Sequence, residues 1–139
     1  MTWDETLKYC LSKPGAFLAH PFGPDSDIVK VKSKNGPSRI FAQFFILNGE
    51  EKATLNCDSM RGDFYRGLYP GIVTRGYHCP PVQQPYFNTL PLNGAIPDNV
   101  LFLMIDEAYT AWFQKCRRSI KGSLIIIREA ERQGGAGCL

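Results

Sequence analysis

The sequence predicts an α+β domain: a single twisted antiparallel sheet flanked by helices, in the order α-β-β-β-α-β-β-α plus a tail. Three observations carry that expectation. The 139 residues and 15.6 kDa suit one domain. Apolar residues make up 44% of the chain, with nine Phe, six Tyr and two Trp, so it can bury a continuous core without metal or disulfide staples. Thirteen Gly and ten Pro cut the chain into short elements joined by turns, which excludes a long helical bundle or coiled coil.

Each element has a local cause. Thr2 can cap a first helix with Glu5 three residues on, a capping box, and Trp3, Leu7, Cys10 and Leu11 then share one stripe until Lys13-Pro14-Gly15 stops it. Pro21-Phe22-Gly23-Pro24-Asp25 reads as rigid loop. Residues 27–32 form a strand with Val29 and Val31 on one face and Ile28, Lys30 and Lys32 on the other. Lys34-Asn35-Gly36-Pro37 is a hairpin signal, because Asn-Gly supplies the positive φ angles of such turns. Residues 39–47 return as a mostly apolar central strand, Asn48-Gly49-Glu50 turns the chain again, and residues 52–57 give a third strand.

Asp58 or Ser59 caps a second helix carrying Met60, Phe64 and Leu68, which ends at Tyr69-Pro70-Gly71. Residues 72–79 read as extended, 80–85 as irregular loop and 86–92 as another strand. Pro97 opens the last helix, with Asp98 in the first turn where the helix dipole favours an anion. Leu101, Ile105, Ala108 and Trp112, with Met104 beside them, form its core stripe. The domain is expected over 1–118. Residues 119–139 are a C-terminal extension, with a short helix over 124–133 and a flexible Gly-rich end.

Five cysteines, odd in number and without a Cys-x-x-Cys pair, point to reduced thiols rather than a secreted disulfide scaffold. The acidic start Met1-Thr2-Trp3-Asp4-Glu5 has no apolar signal segment, and the longest aliphatic run, Leu124-Ile125-Ile126-Ile127, is far short of the ~20 residues that a membrane span requires. A soluble, cytoplasmic protein that does not insert into membranes is expected.

Several motifs follow one another in a specific order: Thr2-Trp3, Tyr9-Cys10-Leu11, Pro21-Phe22-Gly23-Pro24-Asp25, Val29-Lys30-Val31, Leu55-Asn56-Cys57-Asp58, Tyr69-Pro70-Gly71-Ile72, Gly76-Tyr77-His78, Asn88-Thr89, Leu92-Asn93-Gly94, Pro97-Asp98 and Ile105-Asp106-Glu107-Ala108-Tyr109. Over residues 1–118 this pattern resembles the MmcQ/YjbR family of small bacterial proteins. The resemblance implies a frataxin-like (CyaY-like) fold and a DNA-binding role through a double wing of β-hairpins. The chain departs from the family pattern at Gln83-Gln84-Pro85-Tyr86-Phe87, at Cys79-Pro80-Pro81, and from Ser119 onward. The iron binding of frataxin-type folds depends on an acidic ridge, and the first helix here offers only Asp4 and Glu5.

The net charge of +3 is modest but concentrated. Residues 28–40 hold Lys30, Lys32, Lys34 and Arg39 with no acid. Residues 61–79 hold Arg61, Arg66 and Arg75 against Asp63, and residues 117–139 hold five cations against two acids. A narrow ribbon with cations at its tip can approach a groove and contact phosphates, which position a protein without specifying sequence. An exposed edge whose lysines discourage strand-to-strand association carries the same pattern.

Arg75-Gly76-Tyr77-His78 offers a second surface, with Gly allowing close approach and Tyr a stacking face; a plain strand with Tyr packed on the sheet fits equally. The expected contacts with double-stranded DNA are therefore Lys30, Lys32, Lys34, Arg39, Arg66, Arg75, Tyr77 and His78, converging on one patch. An interaction module dimerising through the sheet face or the apolar run at 124–127 is the alternative. Neither His20 nor His78 stands in a Ser-His-Asp or Cys-His context, and no phosphate loop or zinc-ligand spacing occurs. No catalysis, cofactor or metal is expected.

Overall fold

The computed structural model describes residues 1–32, 38–77 and 79–121, with the side chains of the last helix as far as Phe113. Its elements are α1 (Trp3–Leu11), β1 (Ala16–Ala19), β2 (Asp27–Val31), β3 (Arg39–Leu47), β4 (Glu50–Asn56), α2 (Ser59–Leu68), β5 (Thr74–Arg75), a 3₁₀ turn (Gln84–Tyr86), β6 (Phe87–Pro91) and α3 (Asp98–Lys121). All six strands join one antiparallel sheet in the order β1-β2-β3-β4-β6-β5. The α+β class and the single sheet are as the sequence predicts.

The expected capping box opens α1: Thr2 Oγ1 accepts from the Glu5 amide and the Glu5 carboxylate accepts from the Thr2 amide. Trp3 then packs on Phe44 with ring centroids 5.9 Å apart, and its indole donates to Asp27 at 2.8 Å. On β3, a bulge opposite Val29 and Lys30 leaves Phe41 without a register partner. Adjacent Phe41 and Ala42 are consequently both fully buried, where a regular strand would send them to opposite faces. Phe41 meets Tyr109 of α3 edge-on at 5.9 Å. The core lies between the sheet and the helices, with Leu101, Met104, Ile105, Ala108 and Trp112 of α3 at most 4% exposed.

The structure departs from the expected elements in four places. A strand, β1, follows Pro14-Gly15 in a stretch to which the sequence reading assigns no element, and it pairs with β2 from Ala16 opposite Val31 to Ala19 opposite Ile28. The extended stretch over 72–79 shrinks to the two residues of β5, which pair with β6. The side of α2 that carries Met60, Phe64 and Leu68 faces solvent, while Gly62 and Tyr65 face inward. The last helix continues to Lys121, across the expected boundary at 118. The helix and Gly-rich end expected within residues 122–139, and the Asn35-Gly36 turn, lie outside the described residues.

Cys10 and Cys57 are free thiols, and burial pushes Cys10 up to about 12, which keeps it protonated and inert. Cys79 is disulfide-bonded, which corrects the expectation of reduced thiols throughout. Among the described residues no helix is long and apolar enough to cross a membrane.

Candidate nucleic-acid interface

The sheet register sorts the expected contact residues into two groups. Val29 faces Ala42 and Val31 faces Arg39, so alternation carries Arg39 onto the helix-covered side of the sheet, at its end. Lys30 faces Phe17 on one side and Ile40 on the other, and points to the opposite side. Lys32 follows directly, exposed, with its amide donating to the Gly15 carbonyl at 3.2 Å. These three cations bracket the two faces of one hairpin end. Lys34 and His78 lie outside the described residues.

Arg75 stands at the far edge, opposite Asn88 in the row Val29–Ala42–Leu55–Asn88–Arg75. Four strand steps separate it from β2, about 19 Å. Arg66 comes to the same corner but is turned inward: its side chain is 12% exposed, and the guanidinium donates to Asn88 Oδ1 at 2.6 Å and lies 3.6 Å from Asp63. Asn88 in turn donates to the Gly62 carbonyl, tying α2 to β6. Arg66 therefore closes a buried polar network, which removes it from any phosphate-contacting set. Tyr77 stacks on Phe45, with centroids 6.0 Å apart and planes 14° from parallel, and its amide donates to Thr89 Oγ1. The convergence on a single patch is not met. The hairpin end and the β5 edge are separate regions.

Pairing distinguishes the cations more sharply than position does. Lys13 is bonded to Asp106, Lys52 lies 3.8 Å from Glu50, and Arg61 lies 3.7 Å from Glu107. Among the described residues Lys30, Lys32, Arg39 and Arg75 have no ion-pair partner. The carboxylates of the strands themselves gather at the other end, where Asp27 faces Phe44 and Glu50 and Glu51 face Leu47 and Ile46, whereas Asp63, Asp106 and Glu107 of the helices are taken up by Arg66, Lys13 and Arg61. Asp98, held by the N-terminal ammonium at 2.6 Å, and the acidic first turn of α1 belong to that same end. The sheet thus has a basic pole at the β2–β3 hairpin and an acidic pole opposite. The acid-free stretch over 28–40 shows the basic end in the sequence, and only the register assembles the acidic one.

A cleft between α2, α3 and the sheet, lined by Leu55, Cys57, Tyr65, Asn88, Met104 and Glu107, has about 10 Å³ of free space, room for one water. Its polar groups are engaged, the Tyr65 hydroxyl donating to Glu107 at 2.9 Å and Asn88 bonded to Arg66 and the Gly62 carbonyl. Burial, and then that carboxylate, raises the Tyr65 phenol above its ordinary range, so it stays protonated. Among the described residues no three His, Cys, Asp or Glu side chains are grouped to hold a metal ion.

The YjbR family model matches residues 11–111. A crystal structure of the Deinococcus radiodurans protein DR2400, which carries a DUF419 domain, superposes with a TM-score of 0.68 at 22% identity, covering 93% of this chain and 87% of that one. A Pseudomonas syringae protein solved by the Northeast Structural Genomics Consortium superposes with a TM-score of 0.61 at 17% identity, covering 78% and 96%. Both likenesses concern the fold. No curated protein sequence matches the chain.

Proposed function

We propose, from the premise that this chain belongs to the YjbR family, that it is a non-catalytic protein binding double-stranded DNA through the basic pole of its sheet. Lys30, Lys32 and Arg39 are the phosphate contacts of the hairpin, joined by Lys34, which follows Lys32 in sequence. Arg75, with Tyr77 and His78 beside it in sequence, makes a second contact at the β5 edge. The single observation that supports this reading is that Lys30, Lys32, Arg39 and Arg75 have no ion-pair partner among the described residues, while the strand carboxylates Asp27, Glu50 and Glu51 stand at the end of the strands away from the hairpin. A charge already satisfied by a carboxylate gains little from a phosphate. An unpaired one releases a condensed counterion from the duplex on contact. Separation of the two regions by about 19 Å suits a protein that grips a duplex at two places, with the hairpin dominant.

Contacts of this kind give weak, sequence-tolerant affinity that is steeply sensitive to salt. Titration of a short duplex by fluorescence anisotropy at several salt concentrations tests it. Five phosphate contacts predict a slope of log K against log salt of about −4 to −5, and the Lys30→Glu, Lys32→Glu double variant should flatten it by about two. Absence of binding at low salt, or a slope that the double variant leaves unchanged, overturns the reading.

A further inference from the structure

Met60, Phe64 and Leu68 follow one another at four-residue spacing along α2 and are 82%, 53% and 52% exposed. Beside the stripe stands Gly67. Its backbone has no positive φ, and a Cβ there would meet nothing within 4 Å. Glycine weakens a helix, and none of the described residues requires one at that position. An exposed apolar stripe and a needless glycine on the same helix face both make sense if another backbone comes close.

We propose that this face of α2 is a docking surface for a second copy of the same chain, packed antiparallel about a two-fold axis that passes Phe64. The self-complementarity is what selects a second copy. At 100° per residue, Met60 and Gly67 lie on the same flank of Phe64, about one turn before it and one turn after it. The two-fold therefore seats the protruding Met60 of each copy over the bare Gly67 of the other, with the Phe64 rings meeting at the centre. The opposite flank brings Leu68 of one copy against the Arg61 stem of the other.

Charge does not oppose the contact. Arg61 lies 3.7 Å from Glu107 and Asp63 lies 3.6 Å from Arg66, so the polar residues flanking the stripe are paired within each copy. The patch is on the order of a few hundred Å², against ~800 Å² per partner in a stable complex. The dimer is accordingly weak, and its population depends on concentration.

Sedimentation velocity from about 10 μM to about 1 mM tests this. The wild-type chain should show a sedimentation coefficient that rises with concentration. Phe64→Glu and Gly67→Gln should each weaken association by about tenfold or more while keeping the wild-type circular dichroism spectrum, since both positions are exposed. A chain that stays monomeric over the whole range overturns the proposal. So does a dimer that survives both substitutions, because another surface then holds it.

Discussion

Asn88 and Arg66 decide between a structural and a functional arginine. Asn88 is 1% exposed and has both sides of its amide occupied, accepting from Arg66 and donating to the Gly62 carbonyl. Asn88→Ala strands a largely buried guanidinium and should cost about 2 kcal/mol in urea unfolding. Arg66→Ala should likewise lower the melting temperature and leave the salt slope of DNA binding unchanged. From sequence, Arg66 counts as one more cation in a basic stretch. Its burial depends on Gly62 letting α2 approach β6, a contact no local pattern encodes.

Asp106 presents the opposite balance. Burial alone would raise its carboxyl, but hydrogen bonds from Lys13 and Tyr9 outweigh that and hold it below the ordinary carboxylate range. A folded value below the unfolded one means that the cluster's stabilisation is present above that range and lost as pH falls through it. The carboxylate is 45% exposed, so screening keeps the effect small. Asp106→Asn should cost about 1 kcal/mol at neutral pH and flatten the fall of stability on acidification, measured by denaturant midpoints between pH 7 and pH 3.

Two glycines of one helix give opposite expectations at the level of elements. A Cβ on Gly62 would sit 2.6 Å from Cys57 Sγ, 2.9 Å from Arg66 Nη1 and 3.2 Å from the Pro85 carbonyl, so Gly62→Ala should destabilise by about 1–3 kcal/mol. Gly67→Ala meets open space and should stabilise the dilute protein by about 0.5–1 kcal/mol. Thermal melts of the two variants check both signs.

The spacing of Met60, Phe64 and Leu68 is enough to place a helix, and it tempts one to bury that stripe. The inward side is instead chosen by close packing at Gly62 and by the Tyr65–Glu107 bond, both long-range. Strand β1 was hidden for a related reason. Ala16-Phe17-Leu18-Ala19 is too short to show a period, and it becomes a strand only because β2 offers it an edge. Where the signals are strong and local, as at the Thr2–Glu5 cap, over residues 39–47, or along the α3 stripe, sequence and structure coincide.

For the whole molecule, the governing feature is the separation of charge along the strands. The acid-free stretch over 28–40 is visible in the sequence, whereas the acidic pole is assembled from Asp27, Glu50, Glu51 and Asp98, which only the register and the N-terminal contact with Asp98 bring together. For the same reason the expected single patch divides into two: the strand order sets β5 four places from β2, a distance no spacing along the chain expresses. The most direct test follows backbone amide resonances while a short duplex is added at low salt. Shifts confined to residues 28–32 and 38–42, with a weaker set around Arg75 and none at Asp27, Glu50 or Glu51, are what the basic pole predicts. Shifts centred on the acidic end, or none at saturating duplex, would contradict it.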